Sequence, residues 1–230
     1  MIYFAHRGAS AYRVQNTVES FAYARALGAT RYELDVHLLA DGQLAVHHDY
    51  TLASTAGVDK NLAELKAADL SHYPLKNPFT QETVYVPLLQ DILPVITPQL
   101  EVLNIEIKNE ENRYPAIEKV LCQTVRQYPQ LADKMLFSSF DLPTLQRLRA
   151  CAPWARIGVL TRNFQLEQAL ALRAESVHIN QTRLTADIAA QCHQNGLKVF
   201  VYTVNDSAAA ERAAQLGADG IFTDKIDLFC

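Results

Sequence analysis

The sequence predicts an α/β protein, a (β/α)8 TIM-type barrel with an inserted segment after strand two. Three observations predict it. Eight short apolar runs of strand length recur along the 230 residues. Stretches with helical apolar spacing separate most of them. A glycine follows the helical spacing in Leu27-Gly28-Ala29, Asn195-Gly196-Leu197 and Leu216-Gly217-Ala218, where a helix ends in the left-handed conformation. Such alternation implies parallel strands joined by helical crossovers, and eight repeats in about 200 to 250 residues is the size of a closed barrel. A doubly wound open sheet is the alternative with the same local pattern.

Strand one is the run 2–5, and helical spacing follows over 18–27. Strand two is 32–36. Residues 50–87, with Ser71, Pro74, Asn77 and Pro78, then break the rhythm and are too long for a simple βα loop. They are expected to form an ordered inserted subdomain covering part of the site, because barrel active sites are built on the side that follows a strand. The remaining strands are 102–107, 135–138, 156–160, 176–179, 198–203 and 219–223, with helices expected over 116–128, 142–150, 166–171, 186–195 and 208–216. No linker, fixed-period repeat or low-complexity tract interrupts the chain, so 1–230 reads as one domain.

Hydrophobic residues make up 49% of the chain and charged residues 20%, a balance that suits a globular domain and argues against disorder. A formal net charge of -4 gives no electrostatic case for nucleic acid or an anionic membrane surface as partner, so an anionic substrate must be drawn in by local positive charge. Cys122, Cys151, Cys192 and Cys230 lie far apart in sequence and are expected to be reduced thiols. The first apolar run reaches Arg7 too soon for a signal-peptide core, and no stretch approaches about 18 uninterrupted apolar residues. The expectation is a cytoplasmic protein without membrane insertion, with a homo-oligomer left open.

Glu33 and Asp35 stand two apart in Arg-Tyr-Glu-Leu-Asp-Val, so in a strand they share a face while Leu34 and Val36 take the other. Glu106 and Lys108 repeat the arrangement in Asn-Ile-Glu-Ile-Lys. Acids converging from two strands repel one another unless neutralised, and a divalent cation with oxygen ligands, Mg2+ or Ca2+, fits. Buried Glu-Lys and Asp-Arg pairing is the competing reading, and it would serve for one strand pair better than for two. His6 and Arg7 close strand one, and His48 follows the turn at Asp41-Gly42. Two imidazoles can act as base and acid near neutral pH. Arg7 offers a forked donor to a phosphate. His37, His47, His72, His178 and His193 carry no such context, although His178 also falls near a strand end. Neither a Gly-x-Ser-x-Gly elbow nor a glycine-rich nucleotide loop is present, which leaves chemistry by metal and histidines.

These residues resemble the glycerophosphodiester phosphodiesterases, which share a β/α barrel with the phosphatidylinositol-specific phospholipases C. The resemblance runs through His6-Arg7-Gly8, Asn16-Thr17 with Phe21-Ala22, Gly28-Ala29, Glu33-Leu34-Asp35-Val36, Asp41-Gly42, and His48-Asp49 with Thr51-Leu52. It continues through Val86-Pro87-Leu88, Ile105-Glu106-Ile107-Lys108, Ser138-Ser139-Phe140, Thr203-Val204-Asn205 and Gly217-Ala218-Asp219-Gly220-Ile221. The resemblance implies acid-base roles for His6 and His48 and metal ligation by Glu33, Asp35 and Glu106. It implies substrate contacts for Arg7, Lys108, Phe140 and Tyr202. The expected reaction is hydrolysis of a small-molecule glycerophosphodiester to glycerol 3-phosphate and an alcohol. A lysophospholipase D-type enzyme and a non-catalytic phosphodiester-binding barrel are the alternatives. Two positions depart from the family: Gln15 stands where an acid is usual, expected to weaken cation affinity, and Tyr202 stands where a tryptophan is usual.

Overall fold

The computed structural model describes residues 1–110 and 113–230, in which nine strands and eight α-helices occur. In chain order these are β1 (Ile2–His6), α1 (Val18–Ala26), β2 (Arg31–Leu38), β3 (Leu44–Val46), α2 (Ala53–Ala56), α3 (Leu89–Ile96), β4 (Val102–Ile107), α4 (Ile117–Arg126) and β5 (Met135–Ser139). There follow α5 (Leu142–Cys151), β6 (Arg156–Thr161), α6 (Leu166–Ala171), β7 (Ser176–Asn180), α7 (Ala186–Gln194), β8 (Lys198–Tyr202), α8 (Ser207–Gln215) and β9 (Gly220–Thr223). Eight strands pair in parallel in the order β1-β9-β8-β7-β6-β5-β4-β2, and β1 also pairs with β2, which closes the barrel. β3 lies outside the ring, antiparallel to β2, with Val46 opposite Val36.

Strand alternation sorts the core into two layers. Leu34 and Val36 of β2, Ile105 and Ile107 of β4, and Val199 and Val201 of β8 join the large cluster that includes the helices' buried faces. The opposite phase supplies Phe4, Leu136, Phe200 and Phe222, a separate cluster inside the ring in which Phe4 stacks on Phe222 at 4.8 Å. Each such buried aromatic contributes roughly 1.5–3 kcal/mol. Two residues further along the same phase come His6 after Phe4, Tyr202 after Phe200, and Asp224 after Phe222. The barrel is therefore plugged by apolar rings below and opens into polar residues at its C-terminal mouth. His178, also inward, is fully buried against Phe200 and Phe222. Only a glycine on the neighbouring strand leaves it room: a Cβ at Gly158 would sit 2.4 Å from His178 Nε2.

Four of the eight helices begin where a short polar side chain caps them. Thr17 accepts from the Ser20 amide, Asp141 from Thr144, Thr185 from Ile188 and Asp206 from Ala209. Three elements lie outside the sequence reading of strands and helices by periodicity, among them the four-residue α2. β3 is three residues long, too short to display alternation. α3 carries Pro94 in its interior, yet buries Leu89, Ile92, Leu93 and Ile96 at helical spacing. The stretch between β3 and α3 builds its own small core from Leu52, Leu62, Leu65, Leu70, Leu75 and Val84, with bridges between Thr51 and Asn61 and between Leu75 and Val84. No helix among the described residues is long and apolar enough to cross a membrane.

Candidate active site

The turn after β1 holds the mouth together by an unusual backbone. Arg7 and Asn16 both adopt left-handed φ values, 56° and 58°. Such residues cost about 1–2 kcal/mol each. The conformation lets the Arg7 amide donate to both the backbone and side-chain oxygens of Glu33, each at 3.0 Å, while the Arg7 carbonyl accepts from the Asn16 amide at 3.0 Å. Asn16 Nδ2 then donates to Asp35 Oδ2 at 2.9 Å. Gly8 continues the turn at φ 82°, and a Cβ there would meet Ser20 Oγ at 2.4 Å, so glycine is required.

Three carboxylates converge from two adjacent strands. Glu33, Asp35 and Glu106 are all buried, and each can offer an oxygen within 4.8 Å of the others. Asp35 pairs in register with Glu106 across β2 and β4. Lys108 Nζ donates to Glu106 Oε1 at 2.9 Å and lies 3.8 Å from Asp35 Oδ1, and Arg7 Nε lies 3.3 Å from Asp35 Oδ2. Burial, together with repulsion from Asp35, pushes Glu33 well above the usual carboxylate range and Glu106 upward. At Asp35 burial acts in the same sense but is outweighed by Arg7 and Lys108, which hold the carboxyl below that range. Asp35 Oδ1 is buried without a hydrogen-bond partner. A hard cation taking oxygen ligands would complete that atom and relieve the repulsion, so the donor set fits a divalent ion.

The two expected histidines stand on opposite supports. His6 Nδ1 bonds Asp224 Oδ1 at 2.7 Å, and His48 Nδ1 bonds Asp49 Oδ1 at 2.7 Å. A donated Nδ1–H leaves each Nε2 free to exchange a proton. Burial lowers both imidazoles below the ordinary histidine value, against the pull of Asp224 on His6 and of Asp35 on His48. Asp224 is held low because hydrogen bonds from His6, Asn205 and Ser10 outweigh its burial. His37 and His47 are structural: His37 bonds Tyr114 and the His48 carbonyl, and His47 bonds Thr55 and the Asp49 carbonyl, so together they fix the loop that presents His48.

A cavity of about 430 Å³ at the mouth is lined by His6, Arg7, Glu33, His48, Glu106, Phe140 and Tyr202. Asp35 and Lys108 do not line it and connect to it through Arg7 and Glu106. Phe140 meets Tyr202 edge to face, with ring centroids 6.0 Å apart, and burial pushes the Tyr202 phenol up to about 12. Gln15 has a different neighbour from the one its expected effect on the cation assumed. Its Oε1 accepts from Arg7 Nη1 at 2.6 Å, so the residue bears first on the guanidinium. Sequence reasoning assigned no role to Asp224, Asn205, Asn104, Arg162 or Arg183. For Asp224 and Arg162 a signal existed, since each continues the inward phase just beyond its strand. For Asn205, whose Nδ2 donates to Asp224 Oδ2 at 2.6 Å, the signal was its place in the Thr203-Val204-Asn205 stretch of the resemblance, which gave it no role.

The model of the glycerophosphoryl diester phosphodiesterase family matches residues 6–228. A glycerophosphodiester phosphodiesterase of Bacillus altitudinis is 34% identical, covering 96% of this chain and 93% of its own. One from Caldanaerobacter subterraneus subsp. tengcongensis is 33% identical, covering 96% and 92%. Among solved structures, an Oleispira antarctica phosphodiesterase in complex with the product sn-glycerol-3-phosphate superposes with a TM-score of 0.86 at 25% identity, covering 99% of this chain and 94% of that one.

Proposed function

This chain belongs to the glycerophosphoryl diester phosphodiesterase family, and on that premise we propose that it hydrolyses glycerophosphodiesters to glycerol 3-phosphate and an alcohol, with a divalent ion, Mg2+ or Ca2+, and with His6 and His48 as the acid-base pair. The observation that carries the reading is that two carboxylate-backed imidazoles, a guanidinium and two carboxylates of the buried cluster, Glu33 and Glu106, border one cavity, with Asp35 directly behind them. Glu33, Asp35 and Glu106 would hold the ion, which supplies Lewis-acid stabilisation of charge on the phosphoryl oxygens.

Arg7 orients the phosphate and shares its charge, and Lys108, held on Glu106, adds positive charge from behind the carboxylates. The glycerol hydroxyl next to the phosphoester carbon attacks phosphorus, because as an intramolecular group held about 3–3.5 Å away it outcompetes water. One histidine takes that hydroxyl's proton. The other protonates the departing alcohol as the phosphorus–oxygen bond to it breaks. The two then exchange roles while water opens the cyclic phosphate. Phe140 and Tyr202 wall the substrate, and the segment between β3 and α3 covers part of the mouth within one barrel domain.

The test is glycerol 3-phosphate release from glycerophosphodiesters with Mg2+, Ca2+ or chelator, beside a 2-deoxy glycerol analogue. Release that chelation abolishes and the analogue lacks is expected. Full turnover after exhaustive chelation would refute the metal assignment, and comparable rates on the analogue would mean direct attack by water.

A further inference from the structure

Beyond the aromatic corner the same cavity reaches the ends of β6 and β7, where Arg162 and Arg183 line it. Leu160 of β6 is inward and lines the cavity, so Arg162, one residue past the strand, emerges on the same side. Arg183 Nη1 donates to the Arg162 carbonyl at 2.6 Å and to Asn163 Oδ1 at 3.1 Å, tying the two loops so that both guanidinium groups stand on one rim. Arg162 lies over the face of Phe140, 4.2 Å from the ring centroid. Neither guanidinium forms a salt bridge among the described residues, and Glu110 faces Arg162 only at longer range. Deeper in the cavity, His178 Nδ1 and Asn104 Oδ1 are buried with no hydrogen-bond partner.

We propose that this rim reads the alcohol of the diester and selects an anionic, hydroxyl-bearing alcohol over a quaternary ammonium. The inference rests on the phosphodiesterase reading above. A choline head group would seek an aromatic face, and the Phe140 face at this corner is already covered by the protein's own guanidinium. A cation placed there meets two like charges. A carboxylate or phosphate meets two forked donors, which suit planar and tetrahedral anions alike. The unpartnered atoms of His178 and Asn104 are completed by hydroxyl groups, at the depth where an alkyl ammonium would leave them unpaired.

The experiment compares kcat/KM, with the divalent ion present, for three diesters of glycerol 3-phosphate: with choline, with glycerol and with glyceric acid. The neutral glycerol diester sets the reference. The wild type should prefer the glycerate diester to the choline diester by about tenfold or more, and the preference should shrink at high salt as exposed charges are screened. Arg162→Glu should cut that ratio by at least about tenfold, since it reverses the sign of one rim charge. Arg183→Gln should cut it less, but it also unties the loops. Arg162→Gln, with its melting temperature measured beside the wild type, therefore serves as the second variant. A choline diester cleaved as well as the glycerate diester, or a ratio unmoved by both Arg162 variants, would overturn the inference while leaving the phosphodiesterase reading intact. No glycerol 3-phosphate from any of the three diesters would overturn that reading and the inference with it.

Discussion

Replacing Asp224 with Asn keeps the side chain's shape and removes the charge behind His6. Asp224 Oδ1 accepts from His6 Nδ1 at 2.7 Å and from Ser10 Oγ at 2.8 Å, and Oδ2 accepts from Asn205 Nδ2 at 2.6 Å. Asn205 cannot rotate its amide to compensate, because its Oδ1 already accepts the Asp224 backbone N–H at 2.8 Å. The side-chain amide introduced by Asp224→Asn must therefore set its NH2 against the Asn205 NH2 on one side or against the His6 N–H on the other. A hydrogen bond to a charged group is worth about 1.5–3 kcal/mol. If that is the stabilisation lost when His6 becomes imidazolium, kcat falls by roughly 10- to 150-fold, at 1.36 kcal/mol per decade. Ser10→Ala deletes a neutral donor to the same oxygen and should cost less, about 2- to 13-fold from about 0.5–1.5 kcal/mol. The assay is steady-state glycerol 3-phosphate release, with kcat and KM resolved separately and thermal unfolding measured alongside. A kcat for Asp224→Asn within about threefold of wild type, or a loss carried wholly by KM, would refute the idea that Asp224 acts through His6.

The histidines themselves should separate sharply: His6→Ala and His48→Ala lower kcat by about 100- to 10,000-fold, whereas His193→Ala, at a half-exposed pair with Asp219, leaves it within a few-fold. Near-normal turnover in either of the first two would remove that residue from the chemistry. Gly158→Ala should destabilise by about 1–3 kcal/mol in urea unfolding, because the added methyl collides with His178; an unchanged midpoint would show that His178 moves without cost. Arg156 donates to both oxygens of Glu175 at 2.6 and 2.9 Å, and these bonds, against partial burial, hold the carboxyl below its usual range. A depressed folded value stabilises above the unfolded pKa of about 4.3 and loses that contribution as pH falls through the folded value. Glu175→Gln should thus cost about 1 kcal/mol at pH 6, and its gap from wild type should close as the pH drops below about 4; a gap constant down to pH 3 would contradict this.

Local pattern determined the strands and the facing of their side chains. The period of two in Glu33-Leu34-Asp35-Val36 and Ile105-Glu106-Ile107-Lys108 places acids inward and aliphatics against helices whichever strands become neighbours. The three-carboxylate cluster was legible for that reason, as were His6 at the end of β1 and the helix-ending glycines. Periodicity is silent on contacts between distant segments. Asp224 reaches His6 only because β9 pairs with β1 and closes the ring, a contact across 218 residues. Asn205 reaches Asp224 from the loop after β8, and Gln15 meets Arg7 because both neighbouring turns run left-handed. Arg162 became part of the mouth through the loop bond from Arg183 and the ring of Phe140 on the adjacent strand's end. Each of these depends on ring closure and loop packing, where the partner of a side chain is decided by three-dimensional proximity. An alternation two residues long therefore specifies a direction, and only the closed barrel specifies what lies in it.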